Sequence, residues 1–224
     1  MPDERPRRSC WRLALGAGLL ILAGCGGEPA PKGSEEAGGS GSGGSVTSSV
    51  GAGCIPSQET QPNFNGLLVS ETTIDPGNPG CLGEKGAVCV AVGFQGRVSC
   101  PYGQSQDDLA LPDDDPRRCR VPDSTGMPTA AAVTVTVRPQ LVDRQAKDVV
   151  FCSCRCAGPD PVASYCQCPT GATCTELVPS LGLSPGSPVE GSYCVPAGIE
   201  RQGDASGETC SPESTSCGAA AGNP

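Results

Sequence analysis

The sequence predicts a mainly β, small disulfide-rich domain with long loops, between a disordered amino-terminal linker and a disordered carboxy-terminal tail. Cysteine is abundant, with 16 residues in a chain of 224. Aromatic residues make up only 3% of the chain, which also contains 32 glycines and 23 prolines. Such a chain buries little apolar surface, so crosslinks rather than a large core are expected to stabilise it. Its strand-like segments are short and β-branched, and no segment keeps a convincing helical period.

Residues 1–24 have the organisation of a removable secretion signal. Basic residues cluster at the start, and the uncharged apolar run Leu13–Leu22 follows. That run is too short to cross a bilayer as a helix, which needs about 20 residues. It leads into Leu22-Ala23-Gly24-Cys25.

These four residues resemble the lipobox of bacterial lipoproteins. The resemblance implies cleavage between Gly24 and Cys25 and attachment of a diacylglyceryl group, with acyl chains such as palmitate, to the Cys25 thiol. Gly26 differs from the Asp that resembles an inner-membrane retention signal, so an outer-membrane location is expected, on either face. The alternative is an ordinary secretion signal with a coincidental cysteine.

Three further segments follow the predicted signal. Residues 25–53 comprise the lipidated Cys25 and a Gly/Ser-rich linker, Gly26–Gly53, whose flexible reach is about 30 Å. Residues 54–199 are the predicted disulfide-rich β domain. Residues 200–224 form a polar tail, in which Cys210 and Cys217 can close a small loop.

Charge excludes one class of partner. The mature chain has 22 acidic and 11 basic residues, after two acids and four bases are removed from the 24 and 15 of the whole sequence. An acidic surface repels nucleic acid and anionic headgroups. Membrane contact is therefore expected through the lipid anchor, and an envelope or extracellular protein partner is left open.

Strands are predicted where β-branched residues lie close together. The segments are Asn65–Ile74, Gly86–Phe94, Ala132–Arg138 and Asp148–Cys156. The third alternates valine and threonine and has the strongest two-residue period. Residues 75–80 carry a dense Pro/Gly turn signal.

Fourteen cysteines remain once Cys10 and Cys25 are set aside, and export favours their pairing. The candidates are Cys54, Cys81, Cys89, Cys100, Cys119, Cys152, Cys154, Cys156, Cys166, Cys168, Cys174, Cys194, Cys210 and Cys217. Five precede the Val/Thr segment, and seven lie between it and the tail. If Cys210 and Cys217 pair with each other, complete pairing needs at least one bridge between these two odd groups.

The second group begins with Cys152, Cys154 and Cys156, whose side chains share one face of an extended strand. A hairpin is expected to bring Cys166 and Cys168 near them. Residues 165–174 resemble the carboxy-terminal part of epidermal-growth-factor-like modules, which have a Cys-x-Cys before a glycine turn and another cysteine. The resemblance lacks the usual aromatic–glycine pair and implies no ligand or calcium site.

The polar segment Pro101–Met127 is predicted to be a surface loop attached through Cys119. Its aspartates favour calcium only weakly, because their spacing does not match a calcium loop.

No catalytic site, metal site or cofactor is predicted. The chain contains no histidine and no Cys-x-x-Cys, so histidine-dependent catalysis and thioredoxin-like redox chemistry lack their residues. The expected function is that of a noncatalytic envelope lipoprotein presenting a binding or structural module. The alternatives are a thiolate metal binder, favoured by the density of cysteines between Cys152 and Cys168, and a hydrolase that uses carboxylates alone.

Overall fold

Two antiparallel sheets make up the regular structure of this chain in a computed structural model that describes residues 49–81, 83, 86–180, 187–199, 205–213 and 217. The strands are β1 Thr72–Pro76, β2 Ala87–Val92, β3 Arg120–Pro122, β4 Pro128–Ala132, β5 Val150–Ala157, β6 Ala172–Val178 and β7 Gly191–Pro196. Helix α1 is the single turn Ala146–Val149, and Ser57–Thr60 and Asp108–Ala110 are 3-10 turns. The prediction of a mainly β, disulfide-rich domain is confirmed. The predicted signal and nearly all of the predicted linker lie outside the described residues.

The larger sheet has the order β1-β2-β5-β7-β6, so β5 lies at its centre. Strand β2 is apolar along its length, and its first five residues are buried, as are the first five residues of β5, because both faces of these segments are covered. Cys89 and Cys152 lie opposite each other across these strands and belong to one core cluster. Val90 and Phe151 face the other way and pack with Tyr193 of β7.

The smaller sheet pairs β3 with β4 beside a separate apolar cluster. The Val/Thr segment Ala132–Arg138 was predicted to be the clearest strand, and this is wrong: only Ala132 belongs to β4, and Val137 forms one isolated bridge, with Gln104. The Gln104 side-chain amide donates hydrogen bonds to the carbonyls of Val133 and Val135. A side chain thus supplies the partners that a neighbouring strand would have supplied.

The other strand predictions are confirmed in part. The segment Gly86–Phe94 contains β2. Within Asn65–Ile74 the strand begins only at Thr72, because Leu67 instead forms an isolated bridge with Gly96. The segment Asp148–Cys156 begins with the end of α1 before β5. Sequence patterns missed β3, β6 and β7.

A buried ion pair fixes the first 3-10 turn against the loop after β2. The side chains of Glu59 and Arg97 are 0% exposed, with Oε2 and Nε 3.8 Å apart. The Glu59 carboxylate accepts hydrogen bonds from the backbone N–H groups of Val98 and Ser99 and from the Ser99 hydroxyl. Burial raises the pKa of Glu59, and the hydrogen bonds from Ser99 and Val98 oppose that rise.

The described part of the tail packs against the domain. Val142 donates its N–H to the carbonyl of Glu208, and Cys210 donates its own to Gln140. Among the residues described, no helix has the length and apolar character to cross a membrane.

Candidate functional site

The described cysteines form seven disulfides. The pairs are Cys54–Cys89, Cys81–Cys152, Cys100–Cys119, Cys154–Cys166, Cys156–Cys174, Cys168–Cys194 and Cys210–Cys217. The tail pair bonds to itself, and Cys81–Cys152 is the one bridge among these seven that joins the cysteines before the Val/Thr segment to those after it. The pairing therefore agrees with the parity argument, which required at least one such bridge.

Three of the bridges meet at one end of the larger sheet, and we call them the triple cluster: Cys154–Cys166, Cys168–Cys194 and Cys156–Cys174. Strand β5 supplies Cys154 and Cys156, β6 supplies Cys174, and β7 supplies Cys194. Cys174 and Cys194 lie directly opposite each other across β6 and β7, yet each is bonded elsewhere.

Sulfur atoms of neighbouring bridges in the triple cluster lie close together. Cys194 Sγ is 3.6 Å from Cys166 Sγ and 3.9 Å from Cys154 Sγ. At the other side, the sulfurs of Cys156, Cys168 and Cys174 all lie within 4.8 Å of one another. Because Cys168 is bonded to Cys194, the six sulfur atoms form a continuous series.

Exposure increases along that series. Cys194 and Cys154 are 0% and 1% exposed. Cys156, Cys166 and Cys168 are half-buried, and Cys174 is exposed on β6, an edge strand of the sheet. Exposure is therefore greatest at the Cys156–Cys174 bridge, and each of the other two bridges joins a half-buried cysteine to a buried one.

The sequence suggested that the segment carrying Cys166 and Cys168 is the second strand of a hairpin, and this is wrong. Residues 164–169 have no regular secondary structure, although the N–H of Cys166 donates to the carbonyl of Arg155. Strand β5 instead pairs with β2 and β7. The alternating cysteines do face a second cysteine row, but disulfides and not strand pairing hold that row in place.

Metal ligation depends on the redox state of these cysteines. Three trios of sulfur atoms fall within ligand distance of one another: Cys54, Cys81 and Cys89; Cys154, Cys166 and Cys194; and Cys156, Cys168 and Cys174. Each trio contains one intact bridge and one sulfur atom of a second bridge. A metal site of thiolates therefore requires reduction of at least two disulfides.

A small cleft of about 170 Å³ lies where residues 53–55, at the start of the domain, meet Val150, the first residue of β5. Ile55, Val98 and Val150 supply its apolar lining, and Thr125 and Lys147 supply polar groups. Its volume is below the ~300–1,000 Å³ typical of small-molecule sites. The cleft fits a single side chain better than a metabolite.

Two aspartates of the polar loop, Asp108 and Asp115, accept hydrogen bonds from residues close to them in sequence. Asp108 accepts hydrogen bonds from the Ser105 backbone and hydroxyl, and these bonds lower its pKa. Asp115 accepts from Arg117, which lowers the pKa of this carboxyl too. Asp108 and Asp115 are thus engaged with their own loop, and the Cys100–Cys119 bridge attaches that loop as expected.

Two sequence features fall outside the described residues. The first feature is the pair Gly24 and Cys25, the predicted cleavage and lipidation residues. The other is Gly182-Leu183-Ser184-Pro185-Gly186, whose spacing matches the nucleophile elbow of serine hydrolases. Sequence reasoning passed over it. The chain contains no histidine to act as the base of a Ser-His pair.

Comparison of this chain with protein-family models, with curated proteins and with solved structures gave no match.

Proposed function

We propose that this chain is an exported lipoprotein, anchored in the outer membrane through lipid on Cys25, whose disulfide-bonded β domain is a noncatalytic binding or structural module of the cell envelope. The observation that carries the proposal is the complete pairing of the fourteen described cysteines in seven bridges. Bridges of this number persist in oxidising compartments such as the periplasm or the cell surface.

The amino-terminal sequence supports the same location independently. A basic segment, a short apolar run and the lipobox-like Leu22–Cys25 precede the domain. Two or three acyl chains anchor a protein stably, because each buried CH₂ contributes about 0.8 kcal/mol. The Gly/Ser-rich linker then lets the domain reach a partner beyond the bilayer surface.

Substitution of Cys25 tests the anchor. Cells expressing the full chain are grown with an alkyne fatty acid, and the membrane fraction is analysed after coupling to a fluorophore. We expect the parent chain to be labelled and membrane-bound, and Cys25→Ser to be unlabelled. Cys10→Ser is the matched control, because it removes a cysteine from the predicted signal and is expected to leave the label unchanged. Equal labelling of Cys25→Ser and the parent would refute the anchor.

Position 26 tests the destination. Gly26→Asp is expected to move the labelled protein from outer-membrane to inner-membrane fractions of a density gradient. Gly27→Asp, one residue further on, serves as the control and should stay with the parent. An inner-membrane location of the parent chain would contradict the outer-membrane proposal and leave lipidation intact.

A second candidate function, thiolate metal binding, rests on the three sulfur trios. Thiol titration and elemental analysis of the chain purified without reductant separate it from the first. Near-zero thiol and no bound copper or zinc support the disulfide-bonded module. Bound soft metal with about four or more reduced cysteines per chain supports the metal binder, because a three-sulfur site needs two reduced disulfides.

A further inference from the structure

We infer that the triple cluster is a thiol-capture site, in which an external thiol bonds to Cys174 and the displaced thiol is passed inward along the series of sulfurs. The ligand class is a compound or protein bearing a reactive thiolate. This activity goes beyond the noncatalytic module and does not depend on the lipid anchor.

The point of attack is set by exposure. Thiol–disulfide exchange requires a thiolate to reach one sulfur of the bridge, so access selects among bridges. Cys174 is the exposed cysteine of the triple cluster, on an edge strand, and its partner Cys156 is half-buried. Attack on Cys174 Sγ forms a mixed disulfide there, breaks the Cys156–Cys174 bond and leaves Cys156 as a thiolate.

The second step uses the neighbouring bridge. Cys156 Sγ lies within 4.8 Å of Cys168 Sγ. The Cys156 thiolate attacks Cys168, forms a Cys156–Cys168 bond and expels the thiolate of Cys194. Because both sulfurs are carried by the same crosslinked unit, the step is intramolecular and avoids the cost of bringing two reactants together.

The third step occurs in the interior. Cys194 Sγ is 3.6 Å from Cys166 Sγ, the shorter of its two contacts with the last bridge. Attack on Cys166 forms a Cys166–Cys194 bond and releases Cys154, which takes a proton from water. Three bonds break and three form, one thiolate is consumed and one thiol is produced, so the sequence needs no oxidant or reductant.

Burial of the final thiol gives the transfer its consequence. Cys154 is 1% exposed, and burial in apolar surroundings keeps a thiol protonated and inert. A released Cys156 thiolate beside the mixed disulfide would attack it and expel the ligand. Moving the thiol to Cys154 removes that competing nucleophile and prolongs the capture.

The sulfur trio outside the triple cluster, Cys54, Cys81 and Cys89, contains no exposed cysteine. Cys54, Cys81 and Cys89 are 7%, 5% and 1% exposed, although their sulfurs are equally close. Exchange there requires local opening of the core, which is rare in a stable domain. This trio is therefore an internal control for the argument from exposure.

Disulfide mapping of the folded chain tests the inference. The full chain carrying Cys10→Ser and Cys25→Ser, so that only the bridged cysteines remain, is treated briefly with limiting glutathione and then with N-ethylmaleimide. Peptides are mapped without reduction. We expect glutathione on Cys174, a new Cys156–Cys168 linkage and maleimide on Cys154, with adduct formation at least about tenfold faster than at the Cys54–Cys89 bridge.

Three outcomes would overturn the inference. Glutathione distributed equally over exposed and buried bridges would refute selection by exposure. Maleimide on Cys156 with the Cys168–Cys194 bridge intact would refute inward transfer. Absence of any adduct while circular dichroism shows the folded domain would refute capture itself.

A paired substitution adds a control. Cys156→Ser with Cys174→Ser removes the exposed bridge and is expected to slow the opening of the Cys154–Cys166 and Cys168–Cys194 bridges by glutathione about tenfold. Cys210→Ser with Cys217→Ser removes one bridge outside the cluster and should leave the adduct at Cys174 unchanged. If the Cys154–Cys166 and Cys168–Cys194 bridges opened at equal rates in both variants, the assigned route would be contradicted.

Discussion

Removal of the Cys81–Cys152 bridge is expected to be the most destabilising loss of a single crosslink among those compared below. The two residues are 71 apart in sequence, and the Cys100–Cys119 bridge bypasses 19 of those positions, so 71 − 19 leaves an effective loop of about 52 residues. The chain-entropy relation then gives about 4 kcal/mol at 25 °C. Both cysteines are buried, so packing losses add to this value.

The same relation ranks two other bridges. Cys100–Cys119, with a separation of 19, corresponds to about 3 kcal/mol, and Cys210–Cys217, with a separation of 7, to about 2 kcal/mol. Alanine pairs are suitable replacements, because serine would place a hydroxyl in the core.

Urea unfolding of the oxidised proteins provides the assay. The free energy of unfolding is expected to fall most for Cys81→Ala with Cys152→Ala, and least for Cys210→Ala with Cys217→Ala. A loss below about 1 kcal/mol for the first pair, or the reverse order, would refute the view that the bridge between the two cysteine groups restrains the unfolded chain.

Two more predictions concern buried and exposed polar groups. Gln104→Leu removes two donated and two accepted side-chain hydrogen bonds and should lower the free energy of unfolding in urea by about 3 kcal/mol. The control Gln95→Leu removes one hydrogen bond and should lower it by about 1 kcal/mol. Similar losses in the two variants would contradict the assigned role of Gln104. Hydrogen bonds from Thr125 lower the pKa of Asp123 below its ordinary 3.8. The contribution of the Asp123 carboxylate to folding stability is therefore complete above pH 3.8 and is lost as pH falls through the lowered pKa. Asp123→Asn should therefore reduce the loss of urea stability between pH 6 and pH 2.5, and an unchanged pH dependence would contradict this.

The sequence predicted what depends on composition and on local apolar pattern. The shortage of aromatic residues and the abundance of cysteine indicated a crosslinked β domain. Strand β2 was identified because Ala87–Val92 is apolar throughout and lies in the core. Residues 77–80 of the turn predicted at 75–80 were identified because their Gly and Pro residues free or restrict the backbone, whereas Asp75 and Pro76 belong to β1.

Other elements depend on distant partners that local pattern does not contain. Val133–Val137 has a strand's alternation but meets the Gln104 side chain instead of a strand. Strand β6 is largely exposed, so it lacks the apolar signal of a buried strand. The connectivity of the triple cluster also follows from the approach of β5, β6 and β7, and cysteine spacing alone allows many pairings.

The pairing order has a consequence for biosynthesis. In the proposed export, the cysteines reach the oxidising compartment in order from the amino terminus, so Cys54 and Cys81 arrive before either native partner. Cys100–Cys119 and Cys210–Cys217 each join two cysteines that have no other cysteine between them in the sequence. Cys81, in contrast, lies between Cys54 and Cys89, which bond to each other, and its own partner Cys152 follows 71 residues later. Early oxidation is therefore expected to produce wrong bridges, and maturation to require a disulfide isomerase that reshuffles them once β5 has emerged.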